Sequence, residues 1–352
     1  MYVPLSNAQS KQYLDAASAF DGFRQVEEQL SNYRGGMHWK RVSGADYLYR
    51  THDRRGNAKS LGVRSAETER IHAEFTRRKA SLAERQAELK ATMLTQFRVN
   101  AALRLGTVPN EVADVCEALE QSGLMGKGLT VIGTNAMHAY GFLGGVRFDA
   151  DIMATTDVDL LWDHKAKLSL ASTSELSESG LIGILQRADK TYEQDSKQRF
   201  RARASSGFMV DLIRQMPQPP WAEEADRFFD NDLVATDIAN MKWLLSAPRI
   251  SQPVVAVNGR VFTMVAPDPR AYAAYKLWLS QQSDRDPLKK GRDLAQAKAL
   301  IHLIGERLPH LGHWGAFKSI PRTIMDAAWA PPAPADEPTS LTPGPVKRGR
   351  AV

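Results

Sequence analysis

The chain has a single cysteine, Cys116, in 352 residues. One thiol cannot form an internal disulfide, and such scarcity suits a reducing compartment, so a cytoplasmic setting is expected. Long hydrophobic runs are absent too. No uninterrupted apolar stretch reaches the ~18 residues a bilayer-spanning helix needs, so no membrane association is expected. The opening "MYVPLSNAQSKQYLDAA" lacks the basic stretch and apolar core of a secretory signal. The 8 histidines offer no pair at metal-ligand spacing in a suitable helix, so a zinc site is not expected. "GLMGKGLT" lacks the hydroxyl residue and glycine spacing of a P-loop, and no Ser–His–Asp set can be assembled from residue order. Charge of one sign is modest. Lys and Arg number 46 against 40 Asp and Glu, a formal net charge of +6, part of it in the tail "PVKRGRAV". That permits contact with phosphates without demanding it.

What is present is an ordinary globular composition, 43% hydrophobic and 24% charged, in a chain longer than one core usually holds. Four segments are predicted. Residues 1–108 read as helices with a small antiparallel sheet. Tyr13, Ala16, Phe20, Phe23, Val26 and Leu30 recur at helical spacing over 8–33, and a long charged helix follows Ser65 with Ile71, Phe75, Leu82 and Leu89 as its apolar stripe. Between them, "MHWKRVSGADYLYRTHDRRGNAKSLG" suits strands turning at Ser43-Gly44 and at Arg55-Gly56-Asn57. Residues 109–250 hold a helix carrying Cys116 on its apolar face, where the thiol reads as packing. The buried strand "LTVIG", a helix opening from it, the strand "TTDVDLLW" and a hairpin turning at Ser206-Gly207 follow. Residues 251–328 begin with a hairpin at Asn258-Gly259 and end in helices. Residues 329–352 are Pro-rich and basic, a composition that favours disorder.

The chemistry concentrates in the second segment. Side chains alternate along a strand, so Asp157 and Asp159 share a side while Val158 and Leu160 enter the core. Two carboxylates so close repel each other unless a cation lies between them, Mg²⁺ or Mn²⁺ by their preference for oxygen, or one stays protonated; otherwise they end a strand facing water. In "FMVDLI", Asp211 is a lone carboxylate in an apolar strand. It must meet a cation or a strong donor such as an arginine of "RFRARAS". In "VIGTNA", Gly133-Thr134 stands where a strand becomes a helix, presenting free N–H groups and a hydroxyl to a phosphate.

Together, the strand with Gly-Thr, the Asp-x-Asp strand and a third aspartate resemble the polymerase-beta-like nucleotidyltransferase superfamily. "GTNAMHAYGFLGGVRFDADIMATTDVDLLWD", with "YLYR", "KSLG" and "SAETE" upstream, is similar to a bacterial family of nucleotidyltransferase-fold proteins from about residue 36 to about residue 310. The resemblance implies an α/β (α+β) fold: a nucleotidyltransferase domain with a mixed sheet over 109–250, flanked by the N-terminal helices with their hairpin region and by the C-terminal helices. It implies Mg²⁺ (or Mn²⁺) held by Asp157, Asp159 and Asp211, with a nucleoside triphosphate as substrate gripped at Gly133 and Thr134. The activity it implies is nucleotidyl transfer to a hydroxyl of RNA, a protein or a small molecule; the alternative is a binding protein of the same fold without turnover. Two departures stand out. Thr134 occupies a position the family fills with Ser or Gly, and "GVRFDADIMA", with Asp149 and Asp151, is an insertion read as a loop. The stretch "APDPRAYAAYKLWLSQQSDRDPLKKGRDLAQAKAL" is similar to nucleotidyltransferase toxins of bacterial abortive-infection systems. That similarity implies Lys276 on the triphosphate, against a lysine on a helix surface. Asp293 reads as the partner of Lys289 at helical spacing.

The small sheet bears on the acceptor. Trp39, Tyr47 and Tyr49 interleave with Lys40, Arg41, Arg50, Arg54, Arg55 and Lys59. Such a pattern suits RNA through stacking and phosphate contact, or a sheet whose aromatics pack on the long helix.

Overall fold

Two capping boxes set the longest helices. Ser6 accepts from the amide of Gln9, whose side chain returns to the Ser6 amide, and helix α1 (Asn7–Ser31) follows. Ser65 and Thr68 do the same for α2 (Ala66–Ala102), and Glu67 and Glu69 in its first turn favour the positive end of the helix dipole. The computed structural model describes residues 1–51, 57–164, 174–229, 231–311 and 317–329. The expected turn at Arg55-Gly56 and the Pro-rich tail lie outside these residues.

With 37 residues, α2 extends ~55 Å. It runs antiparallel to α1: Gln12 donates to Gln96 and Asn100 at one end, Gly22 rests on Leu89 midway, and Tyr33 meets Phe75 at the other. At that far end sits the expected small sheet, β2 (Gly36–Val42), β3 (Ala45–Thr51) and β4 (Ala58–Val63), all antiparallel in the order β2-β3-β4. Its inner face buries Leu48 completely and sets Trp39 against His72 of α2.

The central sheet is mixed, as expected. Strands β5 (Leu129–Ile132), β7 (Asp157–Trp162) and β10 (Met209–Gln215) are neighbours, with β5 antiparallel and β10 parallel to β7. The outer edge of β10 is divided. β9 (Arg201–Arg203), extended by β8 (Glu193–Gln194), pairs with its first half, and β11 (Thr236–Ile238) pairs with its second. Val158, Leu160, Val210 and Leu212 are fully buried between covering layers. Those layers include α3 (Asn110–Gln121), in which Cys116 is buried, and α4 (Ala136–Gly144). The thiol packs, as its place on an apolar face predicted.

The insertion "GVRFDADIMA" corrects the sequence reading. It is not a loop but strand β6 (Val146–Phe148) and the single helical turn α5 (Ala150–Met153). Buried Val146 and Phe148 flank Arg147, so the segment has a strand's alternation. Its partner is the three-residue strand β1 (Tyr2–Pro4), too short to announce itself by periodicity. Asp149 accepts from the amino group of Met1 and takes no part in a metal cluster.

Helix α6 (Ser174–Ala188) packs on α3, and the turn α7 (Lys242–Leu245) leads to the hairpin of β12 (Arg249–Val255) and β13 (Val261–Pro267). Helices α8 (Pro269–Ser280) and α9 (Pro287–Arg307) each start at an aspartate cap followed by proline, Asp268 and Asp286 respectively. The short helix α10 (Arg322–Trp329) closes the described chain. One apolar core runs continuously from Leu5 to Ala328. Among the described residues, no helix is long and apolar enough to cross a membrane.

The turn of the β12–β13 hairpin ties α2 to this core. Gly259 has φ +90°, its carbonyl accepts from Asn100 at 2.9 Å, and a Cβ there would fall 2.0 Å from the Phe97 carbonyl. Gly259→Ala therefore adds a left-handed penalty to a backbone collision, a combined cost of about 2 kcal/mol or more. We expect a lower denaturant midpoint at unchanged m-value, with Asn258→Ala at the same turn as the milder control.

Candidate active site

Strand pairing assembles the acidic cluster. β7 places Asp157 and Asp159 on one side, and the parallel register sets Asp211 of β10 directly beside Asp159. An oxygen from each carboxylate lies within 4.8 Å of the others. Asp211 thus faces the pair, and it also meets the alternative predicted for it. Arg201, opposite Asp211 on β9, donates through Nε at 2.7 Å and through Nη2 at 2.6 Å. This fork-to-fork geometry is the strong form of an arginine–carboxylate pair. Thr155 donates to Oδ1 of Asp157, and the side-chain amide of Asn135 donates to the Asp157 carbonyl at 2.7 Å.

Asp159 carries the consequence of the crowding. Burial first, then the charges of Asp157 and Asp211, push its pKa up to about 7, although Lys276 and Lys289 pull the other way. No side chain fits between it and the preceding turn. Gly133 has φ +67°, and a Cβ on it would sit 1.9 Å from Oδ2 of Asp159. Glycine at this position lets a left-handed turn lie directly against the carboxylate.

The turn is held from behind by helices far along the chain. Tyr272 of α8 donates to the Gly133 carbonyl at 2.6 Å. Gln296 of α9, fully buried, donates through Nε2 to the Thr134 hydroxyl at 3.2 Å and to the Ile152 carbonyl at 2.6 Å. Oε1 of Gln296 and Oδ1 of Asn135 are buried and accept no hydrogen bond from the described residues. Gln296, Tyr272 and Asn135 were not singled out from the sequence. Among them, only Asn135 had a local signal, its place beside the Gly-Thr turn.

Lys276 is not a helix-surface lysine. It is buried, it donates to Oδ1 of Asp293 at 2.7 Å, and burial pulls its pKa down. The expected Lys289–Asp293 pair is corrected here. Asp293 is 1% exposed, and it is bound by Lys276 and by Arg285, whose Nε donates at 2.9 Å, while Lys289 lies exposed. A carboxylate so buried needs partners that come inward with it.

Residues 110–319 match the sequence profile of a nucleotidyltransferase family. This match covers more than half of the chain, and the acidic cluster, the Gly-Thr turn, Lys276 and Gln296 all fall inside it. The chain belongs to that nucleotidyltransferase family. No curated relative and no solved structure matches it. The matched segment of this nucleotidyltransferase starts at α3, so α1, the small sheet and α2 precede it.

The donor set fits a divalent, oxygen-preferring cation: three hard carboxylates converge on one point, and burial together with the other two charges makes one of them resist ionisation. Among the described residues, Arg201 competes through its hold on Asp211. The raised pKa also has a sign. Folding retains a proton on Asp159 that the unfolded chain releases, so stability falls as pH rises from about 4, and the full penalty is present above about 7. With a chelator present, Asp159→Asn should raise the melting temperature at pH 8 and bring little change at pH 4. Its contribution at pH 8 is on the order of 2 kcal/mol, reduced from the full shift because the carboxylate is partly exposed. Calorimetry from pH 4 to 8 checks both the sign and the window.

Proposed function

We propose that this protein transfers a nucleoside monophosphate from an NTP to an acceptor hydroxyl and releases pyrophosphate. The observation that carries the reading is the meeting of Asp157, Asp159 and Asp211 within 4.8 Å, against the Gly133-Thr134 turn. In this reading the three aspartates hold Mg²⁺ or Mn²⁺. Bound there, such ions lower the pKa of the attacking hydroxyl and offset charge on the departing pyrophosphate.

The remaining roles follow from the chain's own groups. The backbone at Gly133 and the first turn of α4 receive the β- and γ-phosphates. Gln296 occupies a lone pair of the Thr134 hydroxyl with its N–H. That leaves the hydroxyl hydrogen to donate outward to a phosphate oxygen. Tyr272 fixes the Gly133 carbonyl and with it the left-handed turn. Lys276, anchored on Asp293, adds positive potential beneath the triphosphate. Positioning and charge are then most of what the site has to supply. RNA is the acceptor class that suits the basic, aromatic N-terminal sheet.

The second reading, a nucleotide- or nucleic-acid-binding protein without turnover, draws on the Arg201–Asp211 pair, which already neutralises the third carboxylate. Incubation with each α-labelled NTP, Mg²⁺ or Mn²⁺, and total RNA or lysate separates the two. Label should reach an acceptor, and Asp157→Ala or Asp159→Ala should reduce transfer at least about 100-fold while the protein stays folded. Unchanged labelling by the double variant would refute the assignment, and NTP binding without label transfer would favour the second reading.

Gln296 gives a finer test. Gln296→Leu removes the N–H that orients Thr134, so KM for the NTP should rise about tenfold with a smaller change in kcat. Equal loss in both variants, Gln296→Leu and Thr134→Val, and in the double variant would place the two residues in one unit. Additive losses would show that Gln296 does not act through Thr134.

A further inference from the structure

The alternation of strands β2 to β4 sorts the aromatic and basic residues into two sets. Trp39, Leu48 and Arg50 face α2. Trp39 lies against His72 with the rings tilted 48°, and the Arg50 guanidinium lies 4.5 Å over Phe75 and donates to the carbonyls of Asn32, Arg34 and Thr51. Trp39 thus meets the second alternative predicted for this sheet, packing on the long helix, and Arg50 goes with it. The outer face carries His38, Lys40, Val42, Tyr47, Tyr49 and Val63. His38 stacks on Tyr49 with ring planes 19° apart, and the Lys40 ammonium lies 5.8 Å over the same ring. Val42 and Val63 are exposed, and among the described elements only α2 packs extensively on the sheet.

Positive charge is concentrated in the segment that carries this face, and Lys40 lies on the face itself. Residues 34–64 hold eight Arg and Lys against two Asp, a net of +6, equal to the formal net charge of the whole chain. At the foot of the sheet, a cleft of about 650 Å³ between α1 and α2 is lined by Gln29, Asn32, Tyr33, Arg77, Arg78 and Ser81, among others. Arg77 has no hydrogen-bond or ion-pair partner among the described residues. The sheet contacts α2 near Phe75, and α2 meets the β12–β13 hairpin at Asn100, ~38 Å away along the helix.

We infer that the outer face of this sheet binds single-stranded RNA, holding the acceptor by a part remote from the hydroxyl that reacts. This rests on the nucleotidyl-transfer reading for the word acceptor, and on the sheet alone for the binding. Tyr47, Tyr49 and His38 give flat surfaces on which bases stack irrespective of sequence, while Lys40 and Arg77 meet the phosphates. A small-molecule acceptor has no use for a cationic platform ~38 Å from the catalytic body. A protein acceptor would have to match +6 with an acidic surface, and it has no need of stacked rings.

Fluorescence anisotropy with the full chain and a labelled 20-nucleotide RNA tests the inference, against single-stranded DNA and a duplex RNA of equal length. Tyr47→Ala with Tyr49→Ala should weaken RNA binding about tenfold or more, and Tyr47→Phe with Tyr49→Phe should retain it. Lys40→Ala should reduce the salt slope by about one, whereas the tyrosine variants leave that slope unchanged. Mg-NTP binding, read by thermal shift, should be untouched in all of them. Wild-type affinity in the Ala variants, or duplex binding equal to single-strand binding, overturns the inference, as does label transfer to protein with no RNA bound. Loss of transfer in Asp157→Ala with RNA affinity intact keeps the two readings separable. RNA binding without any transfer by the native chain sinks the enzyme reading and leaves the sheet's role standing.

Discussion

Three like charges in adjacent strands are the constraint around which the rest of the structure is arranged. Parallel pairing of β7 and β10 puts Asp211 beside Asp159, and strand alternation puts Asp157 on the same side. Without a cation the cluster relieves its repulsion in two ways. Arg201 neutralises Asp211 through two hydrogen bonds, and the pKa of Asp159 is pushed up to about 7, which favours its protonated form. Both are reversible, and both act on groups that a divalent ion would recruit. The site thus stays poised: charge is present but partly masked, and little strain has to be stored in the strands themselves.

The same constraint explains the glycine and the distant helices. A carboxylate crowded by two others must be approached by backbone, since any side chain at 133 would displace Oδ2 of Asp159. A left-handed turn of this kind would drift if left alone. Tyr272 and Gln296 clamp its carbonyl and its neighbouring hydroxyl from α8 and α9. The C-terminal helices therefore complete the site although they supply none of the three aspartates. Lys276, Arg285 and Asp293 form a second, buried ionic unit beneath it, which ties α8 to α9 and keeps positive potential close to the acids.

Local pattern made much of this legible. The Asp-x-Asp alternation, the Gly-Thr junction and the lone aspartate of "FMVDLI" each broke an apolar run, and a break in a run can be seen in one dimension. Register cannot. That Asp211 lies opposite Asp159 on one side and Arg201 on the other depends on pairings across intervening chain. Gln296 looks like any polar residue of an amphipathic helix until α9 is folded onto Thr134. The insertion was misread for the same reason, since β6 is defined by a partner at residues 2–4. In the small sheet, composition could not say which residues lay inside. Arg50 proved to be a strut for backbone carbonyls rather than a surface cation.

Charge placement links the two ends of the molecule. Because residues 34–64 alone carry a net +6, the remainder of the chain is formally balanced. The carboxylate cluster consequently lies in a body that does not itself attract polyanions, and close to it the potential is negative. In the proposed reaction a triphosphate would enter with divalent ions bound, because they would reverse the local sign. A polynucleotide gains nothing from that local reversal over most of its length, since screening confines it to about 8 Å at physiological ionic strength. Attraction over a longer stretch has to come from elsewhere, and residues 34–64, carried on the α1–α2 hairpin, concentrate positive charge. The hairpin's stiffness then matters as much as its charge. Paired helices, pinned at Asn100 to the Gly259 turn, fix the direction in which a strand leaving the sheet would approach the aspartates. A flexible tether of equal charge would raise local concentration but would not set that direction.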